Sequence, residues 1–154
     1  RKQSSSIASK KSDRALGAGI AAAYTHAGGS VVAAVVLACE TDFVAKNDDF
    51  KKLAYDIAMH IAAMNPQFRA RADVKESDKR AAIEVFEKEA ASVPESARVR
   101  AVEGKIESYL KERVLLEQQY IKDPTITIHG LINSAIQKFG EKVEVVRFER
   151  LSVK

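Results

Sequence analysis

Two apolar runs joined by a short glycine-containing link constrain this chain more than any other feature. Residues 17–25 and 31–40 both read as strands, and Gly28-Gly29 between them is a hairpin signal. Neither run alternates. The first contains Ile20-Ala21-Ala22-Ala23-Tyr24. The second is Val31-Val32-Ala33-Ala34-Val35-Val36-Leu37-Ala38-Cys39, the longest uninterrupted apolar run in the sequence. A hairpin with one wet face alternates apolar and polar positions. This one is therefore expected to be covered on both faces, by helices of its own chain on one and by something approaching closely over the alanines on the other. The run is about half of what spans a bilayer, so neither a transmembrane helix nor a secretory signal is expected.

The second run leads straight into Thr41-Asp42-Phe43-Val44 and then into a strongly amphipathic segment. An acid and an aromatic thus stand side by side between two elements fixed by burial. Asp42 and Phe43 read as a probe presented to something outside the chain. The plainer reading folds Phe43 back into its own core, and the residues by themselves leave the two open.

Beyond the turn, Asn47 is a good N-cap, with Asp48 and Asp49 favourably placed in the first turn. Phe50, Leu53, Ala54, Ile57, Ala58, Ile61 and Met64 follow at helical spacing, and Asn65-Pro66 ends the helix. His60 reads as a histidine on the helix flank, and Met59 and Met64 as packing. Residues 68–74 connect to a helix over 78–91, capped by Ser77, anchored by Ile83 and Phe86 and ended by Pro94. A long helix is expected over 100–119, with Val102, Ile106, Tyr109, Leu110 and Val114 on its apolar stripe. Gly104 inside it costs roughly 1 kcal/mol against alanine unless it permits a close crossing. Asp123-Pro124 breaks the chain, and Thr127 caps a last helix through Leu131, Ile132, Ala135, Ile136 and Phe139, with Gly140 just past its end. Residues 142–153 read as a strand carrying Val143, Val145, Leu151 and Val153 on one face and Val146 and Phe148 on the other.

These elements predict an α+β fold. The hairpin and the C-terminal strand form a three-stranded antiparallel sheet with helices on one face. A bare apolar face of that size is an association site, so the other face is expected in a homodimer.

The net charge of +4 invites a nucleic-acid reading, but its location argues against one. Arg1, Lys2, Lys10, Lys11 and Arg14, against Asp13, supply all of it. The other 140 residues balance, with 20 basic and 20 acidic side chains, whereas a nucleic-acid binder shows a basic face on its folded part. Residues 1–14 are expected to be a flexible basic linker, a transit peptide being the weaker reading, and residues 15–154 a single core domain. The first residue is Arg rather than Met, so an N-terminal part is expected to be missing. The single cysteine, Cys39, forms no internal disulfide, suits a reducing compartment and reads as a small buried hydrophobe.

There is little sign of an enzyme, which stays a third and weak reading. Gly17-Ala18-Gly19 lies within a strand and lacks the rest of a phosphate loop. No Cys/His set has metal-ligand spacing, and the three histidines are scattered. No cofactor, metal or directly bound nucleotide is expected.

The run Cys39-Glu40-Thr41-Asp42-Phe43-Val44-Ala45-Lys46-Asn47 resembles the signature of the elongation factor Ts family, the guanine-nucleotide exchange factors of elongation factor Tu. Residues 57–62 with Asn65-Pro66 are similar too. So are Leu115-Leu116-Glu117-Gln118-Gln119-Tyr120-Ile121-Lys122-Asp123-Pro124, residues 136–141 and residues 145–150. The likeness spans nearly the whole chain. It implies that Asp42 and Phe43 enter between helices of the GTPase domain of elongation factor Tu and disturb its Mg²⁺ and phosphate site. Thr41 and Val44 then shape the turn or touch the partner, and His26 at the hairpin tip reads either as a contact with another partner domain or as a plain loop histidine. Family members begin with a ubiquitin-associated-like module, for which this sequence has no counterpart. It resembles the short, single-core form, which works as a homodimer. The last strand carries no cysteine near residues 148–150, so that dimer is expected to be non-covalent. Bacterial cytoplasm and an organelle of bacterial ancestry both fit. The rival reading is a dimeric interaction module that binds a GTPase or RNA without exchange.

Overall fold

The structure, a computed structural model, describes residues 14–154, so the predicted basic linker lies outside the described residues except for Arg14. In chain order the elements are β1 (Ala18–Thr25), β2 (Val31–Cys39), α1 (Asp42–Ala45), α2 (Asp48–Met64), α3 (Glu76–Glu89), α4 (Glu95–Arg113), β3 (Gln119–Tyr120), β4 (Asp123–Thr127), α5 (Ile128–Phe139) and β5 (Glu144–Ser152). The fold is α+β. Contacts divide it into two compact units, one formed by residues up to Asn65 with Gln119–Lys154, the other by Pro66–Gln118.

The first unit is built on a three-stranded antiparallel sheet in the order β1-β2-β5. Gly28 and Gly29 turn the hairpin with φ of 83° and 73°, a region glycine enters without strain. Gly19 has a different role. A Cβ there would sit 2.7 Å from the Leu37 carbonyl oxygen, so β1 and β2 need a glycine to lie this close. One face of the sheet carries Ala33, Val35, Leu37 and Val145, all buried, and α2 packs across β1 and β2. The other face presents Ala21, Ala23, Ala34, Val36, Arg147, Glu149 and Leu151 to solvent. Apolar residues thus line both faces, as their lack of alternation predicts. Near the turn the adjacent Ala38 and Cys39 are both buried. Successive strand residues point to opposite faces, so that end of β2 is covered on both sides.

β5 departs from the sequence reading. The register shifts between Val36 and Leu37, which pair with Arg147 and Val145 and leave Val146 as an extra, exposed residue. A bulge reverses the alternation beyond it. Phe148 therefore pairs with Val35 and joins Val145 on the buried side, while Leu151 and Val153 are exposed.

α2 begins as predicted. Asn47 Oδ1 accepts from the amides of Asp49 (2.8 Å) and Phe50 (3.3 Å), and Asn65 ends the helix in the left-handed region. His60 is buried rather than on a flank, and its Nδ1 accepts the Ile121 amide at 3.1 Å. Thr127 caps α5 through the Gly130 amide, and Gly140 terminates it at φ 70°. The rings of Phe50 and Phe139 meet edge to face at 5.6 Å, joining the start of α2 to the end of α5. β3 and β4 form a small hairpin where the sequence suggests only a chain break. Pro124 is tolerated there because an edge strand has amides that need no ladder partner.

The second unit pairs α3 with α4. α3 starts at Glu76, so Ser77 lies inside its first turn and caps nothing. α4 starts directly after Pro94 and stops at Arg113, short of the predicted end. The cause is Phe68, which bridges to Val114 and accepts the Leu115 amide at 2.7 Å, drawing the backbone out of the helix. One small cluster in this unit is Val74, Leu110 and Val114, with Phe68, Ile106 and Tyr109 packed against them, and Ala90 and Leu115 are buried as well. Beyond its own stretch of helix backbone, no atom lies within 4 Å of a Cβ placed on Gly104, so this glycine permits no close crossing and its cost stands. Arg71 strengthens the unit. Its guanidinium donates to both oxygens of Glu107 (3.0 and 2.7 Å) and both of Glu117 (2.5 and 2.6 Å).

This fork predicts a pH dependence. Hydrogen bonds from Arg71 hold the Glu107 carboxyl below its ordinary value of 4.5. A depressed carboxylate stabilises the fold above its unfolded value and stops doing so as pH falls through the folded one. The thermal stability gap between the unaltered chain and Arg71→Met should hold from pH 7 to 5 and narrow below about 4.5. A gap independent of pH in thermal unfolding would refute this origin.

Candidate functional site

β2 ends at Cys39, and Glu40 and Thr41 carry the chain into α1, a single helical turn. Thr41 is extended and caps that turn, its Oγ1 accepting the Val44 amide at 3.4 Å. Its carbonyl oxygen accepts the Ala45 amide at 3.2 Å and the Cys39 thiol at 3.3 Å. Burial, reinforced by the nearby Glu141 charge, pushes the Cys39 thiol up, so it stays protonated at neutral pH. A buried thiol of that kind is a packing group, not a nucleophile.

One helical turn sends neighbouring side chains to different sides. Val44 is 4% exposed and Ala45 7%, so both lie inside. Phe43 is 85% exposed, and Asp42 beside it is exposed as well. The ring therefore does not fold back into the core. Among the ten large hydrophobic side chains exposed in the described residues, it is the most exposed.

A second segment holds the turn. Ala38 pairs with Glu144, and continuing that antiparallel register places Glu40 opposite Lys142 and Thr41 opposite Glu141. Glu141 Oε1 accepts the amides of Glu40 (3.0 Å) and Thr41 (3.1 Å), while Oε2 accepts the Thr41 hydroxyl at 2.7 Å. In return, the Lys142 amide donates to Glu40 Oε2 at 2.5 Å. Arg14 approaches the other oxygen of Glu40 at 3.6 Å.

The structure brings Thr41, Asp42, Phe43 and Val44 together and sets His26 apart. His26 is exposed at the opposite end of β2, and Tyr24 Oη lies 3.2 Å from its Nδ1. Eight strand steps of about 3.4 Å put roughly 27 Å between the two ends. Among the described residues, no cluster of three His, Cys, Asp or Glu could hold a metal ion, and no helix is long and apolar enough to cross a membrane.

The family model described as elongation factor TS matches residues 7–154. The chain belongs to the elongation factor Ts family. It is 43% identical over 155 residues to an elongation factor Ts of Herpetosiphon aurantiacus, covering 99% of this chain and 78% of that protein. It is also 43% identical over 148 residues to one from Syntrophomonas wolfei, covering 95% of this chain and 69% of the relative. A Thermotoga neapolitana elongation factor Ts shares 40% over 153 residues, 99% and 78% of the two chains.

Sequence reasoning assigns no role to Glu141. In sequence it is an acid after a helix-ending glycine, at the end of the segment 136–141 that resembles the family. Only the pairing of β2 with β5 shows that it reaches the turn a hundred residues earlier.

The two neighbours in α1 should separate in stability measurements. Phe43→Ala should change unfolding free energy by no more than about 0.5 kcal/mol, as exposed substitutions do. Val44→Ala should cost roughly 1–3 kcal/mol, because it opens a gap beneath the turn. Urea denaturation of both variants checks this, and a large loss for Phe43→Ala would contradict the exposed placement.

Proposed function

We propose that this chain promotes release of GDP from elongation factor Tu in translation elongation, with Phe43 as the wedge and Asp42 as its polar companion. The observation that carries the reading is the almost complete exposure of Phe43 on a turn whose other side is buried. The Phe43 ring is in water in the folded chain as in the unfolded one, so its hydrophobic gain is realised only on burial in a partner. That burial supplies about 1.5–3 kcal/mol. At 1.4 kcal/mol per tenfold, Phe43 can shift nucleotide affinity by roughly ten- to a hundredfold.

The mechanism is electrostatic on the partner's side and steric on this one. Mg²⁺ and phosphates hold each other by charge, so displacing the ion's surroundings loosens GDP without any chemistry of hydrolysis. The coupling is reciprocal: whatever factor by which the chain weakens GDP, GDP weakens the chain. Nucleotide and factor displace one another, and the chain leaves when GTP binds. Val44, whose surface is taken up inside the chain, and Thr41, which caps α1, shape the turn. His26 is too distant to join the same contact and is proposed as a separate touch on another partner domain.

The active species in this reading is a homodimer joined through the open sheet face. Ala21, Ala23, Ala34 and Val36 leave a shallow apolar surface there, against which a second sheet can lie closely. Arg147 and Glu149 sit beside it and pair with each other at 3.4 Å, which reduces the cost of covering their charges.

Two measurements test these statements. The unaltered chain should accelerate release of a fluorescent GDP from elongation factor Tu, and Phe43→Ala should lose about ten- to a hundredfold of that acceleration. Acceleration equal in both would remove the wedge; none from the unaltered chain would remove exchange. For assembly, sedimentation should give a dimer for the unaltered chain and a monomer for Ala34→Glu, which puts a charge at the centre of the open face. A monomeric unaltered chain would overturn the sheet-to-sheet dimer.

A further inference from the structure

A wedge works only against a stiff mounting. If Phe43 yields when it meets the partner, the energy of contact moves the turn and leaves the nucleotide site undisturbed. α1 supplies no stiffness of its own, because a single helical turn is unstable in isolation. Its mounting must come from elsewhere, and the geometry points to Glu141 as the positioning residue for Phe43. This inference rests on the exchange reading above.

Three observations carry it. One carboxylate accepts three hydrogen bonds from Glu40 and Thr41, at 2.7 to 3.1 Å, so it pins the two residues leading into α1. The bond from the Lys142 amide back to Glu40 locks the same two segments from the other side. The third observation concerns the Thr41 hydroxyl, which has one proton and two lone pairs. An ionised carboxylate is an acceptor only, so Glu141 claims that proton and turns a lone pair toward the Val44 amide. Glu141 thereby sets the cap that holds the first turn of α1, the turn bearing Phe43. Gly140 makes this reach possible. Its left-handed conformation ends α5 and sends the chain back across β2 with Glu141 as the next residue.

The test is GDP release from elongation factor Tu as a function of chain concentration. Glu141→Ala should lower the maximal release rate about tenfold, the factor that 1.4 kcal/mol of coupling sets, while the half-saturating concentration changes little. Glu141→Gln should recover part of the rate, since its carbonyl oxygen still accepts both amides while its amide group no longer takes the Thr41 hydroxyl proton. In a Phe43→Ala background, Glu141→Ala should have no further effect, because a residue that acts through the ring has nothing left to position. A full maximal rate for Glu141→Ala, or an equal further loss in the Phe43→Ala background, would overturn the proposal.

Amide hydrogen exchange provides a readout that does not depend on elongation factor Tu. In Glu141→Ala the amides of Val44, Ala45 and Lys46 should exchange about tenfold faster, with the amides of α2 unchanged. Unchanged protection in α1 would overturn the latch whatever the release assay shows. Failure of the unaltered chain to accelerate release would instead overturn the proposed function, and hydrogen exchange would still decide whether Glu141 holds the turn.

Discussion

The burial of β2 is the constraint on which the rest of this structure depends. It is the central strand, paired along both edges, with α2 packed over one face. Val35, Leu37 and Val145 are almost wholly excluded from water there. Each side chain of this size contributes about 1.5–3 kcal/mol when buried. A core of several such groups holds the fold without any contribution from Phe43, so the ring can stay exposed. The same burial fixes where β2 ends, and hence where Thr41 must turn.

The turn divides its work among adjacent residues. Phe43 and Asp42 face outward, Val44 and Ala45 anchor inward, and Thr41 caps. Four residues cannot sustain a helix unaided, so the turn depends on both of its flanks. Asn47 and the buried stripe of α2 fix the downstream side. Glu141, delivered by α5 and Gly140, fixes the upstream side. In the proposed exchange this matters because the energy gained at Phe43 must reach the nucleotide site and not be lost in bending the turn.

The local parts of the fold were legible in sequence. Strand runs without alternation, the Gly28-Gly29 hairpin, the Asn47 and Thr127 caps, the Gly140 terminator and the apolar stripe of α2 each depend on residues close together in the chain. Two helix starts were misplaced by a few residues, at Glu76 and Glu95, and the larger errors fell where distant contacts override local preference. α4 stops early because Phe68 pairs with Val114. Phe148 faces inward because Val146 is a bulge, which pairing with β2 creates and a single strand does not reveal. His60 is buried because Ile121, sixty-one residues away, gives its ring a hydrogen-bond donor.

The candidate site shows the same boundary. The sequence by itself determined the elements on either side of residues 41–44, the caps that start and stop them, and the presence of an acid beside an aromatic in the turn. These follow from periodicity and from hydrogen bonds spanning a few residues. Tertiary structure decided which way Phe43 points, that Val44 lies beneath it, that His26 sits at the far end of β2, and that Glu141 holds Thr41. Those outcomes depend on sheet register, and register is set by the burial of whole strand faces rather than by any residue's own preference.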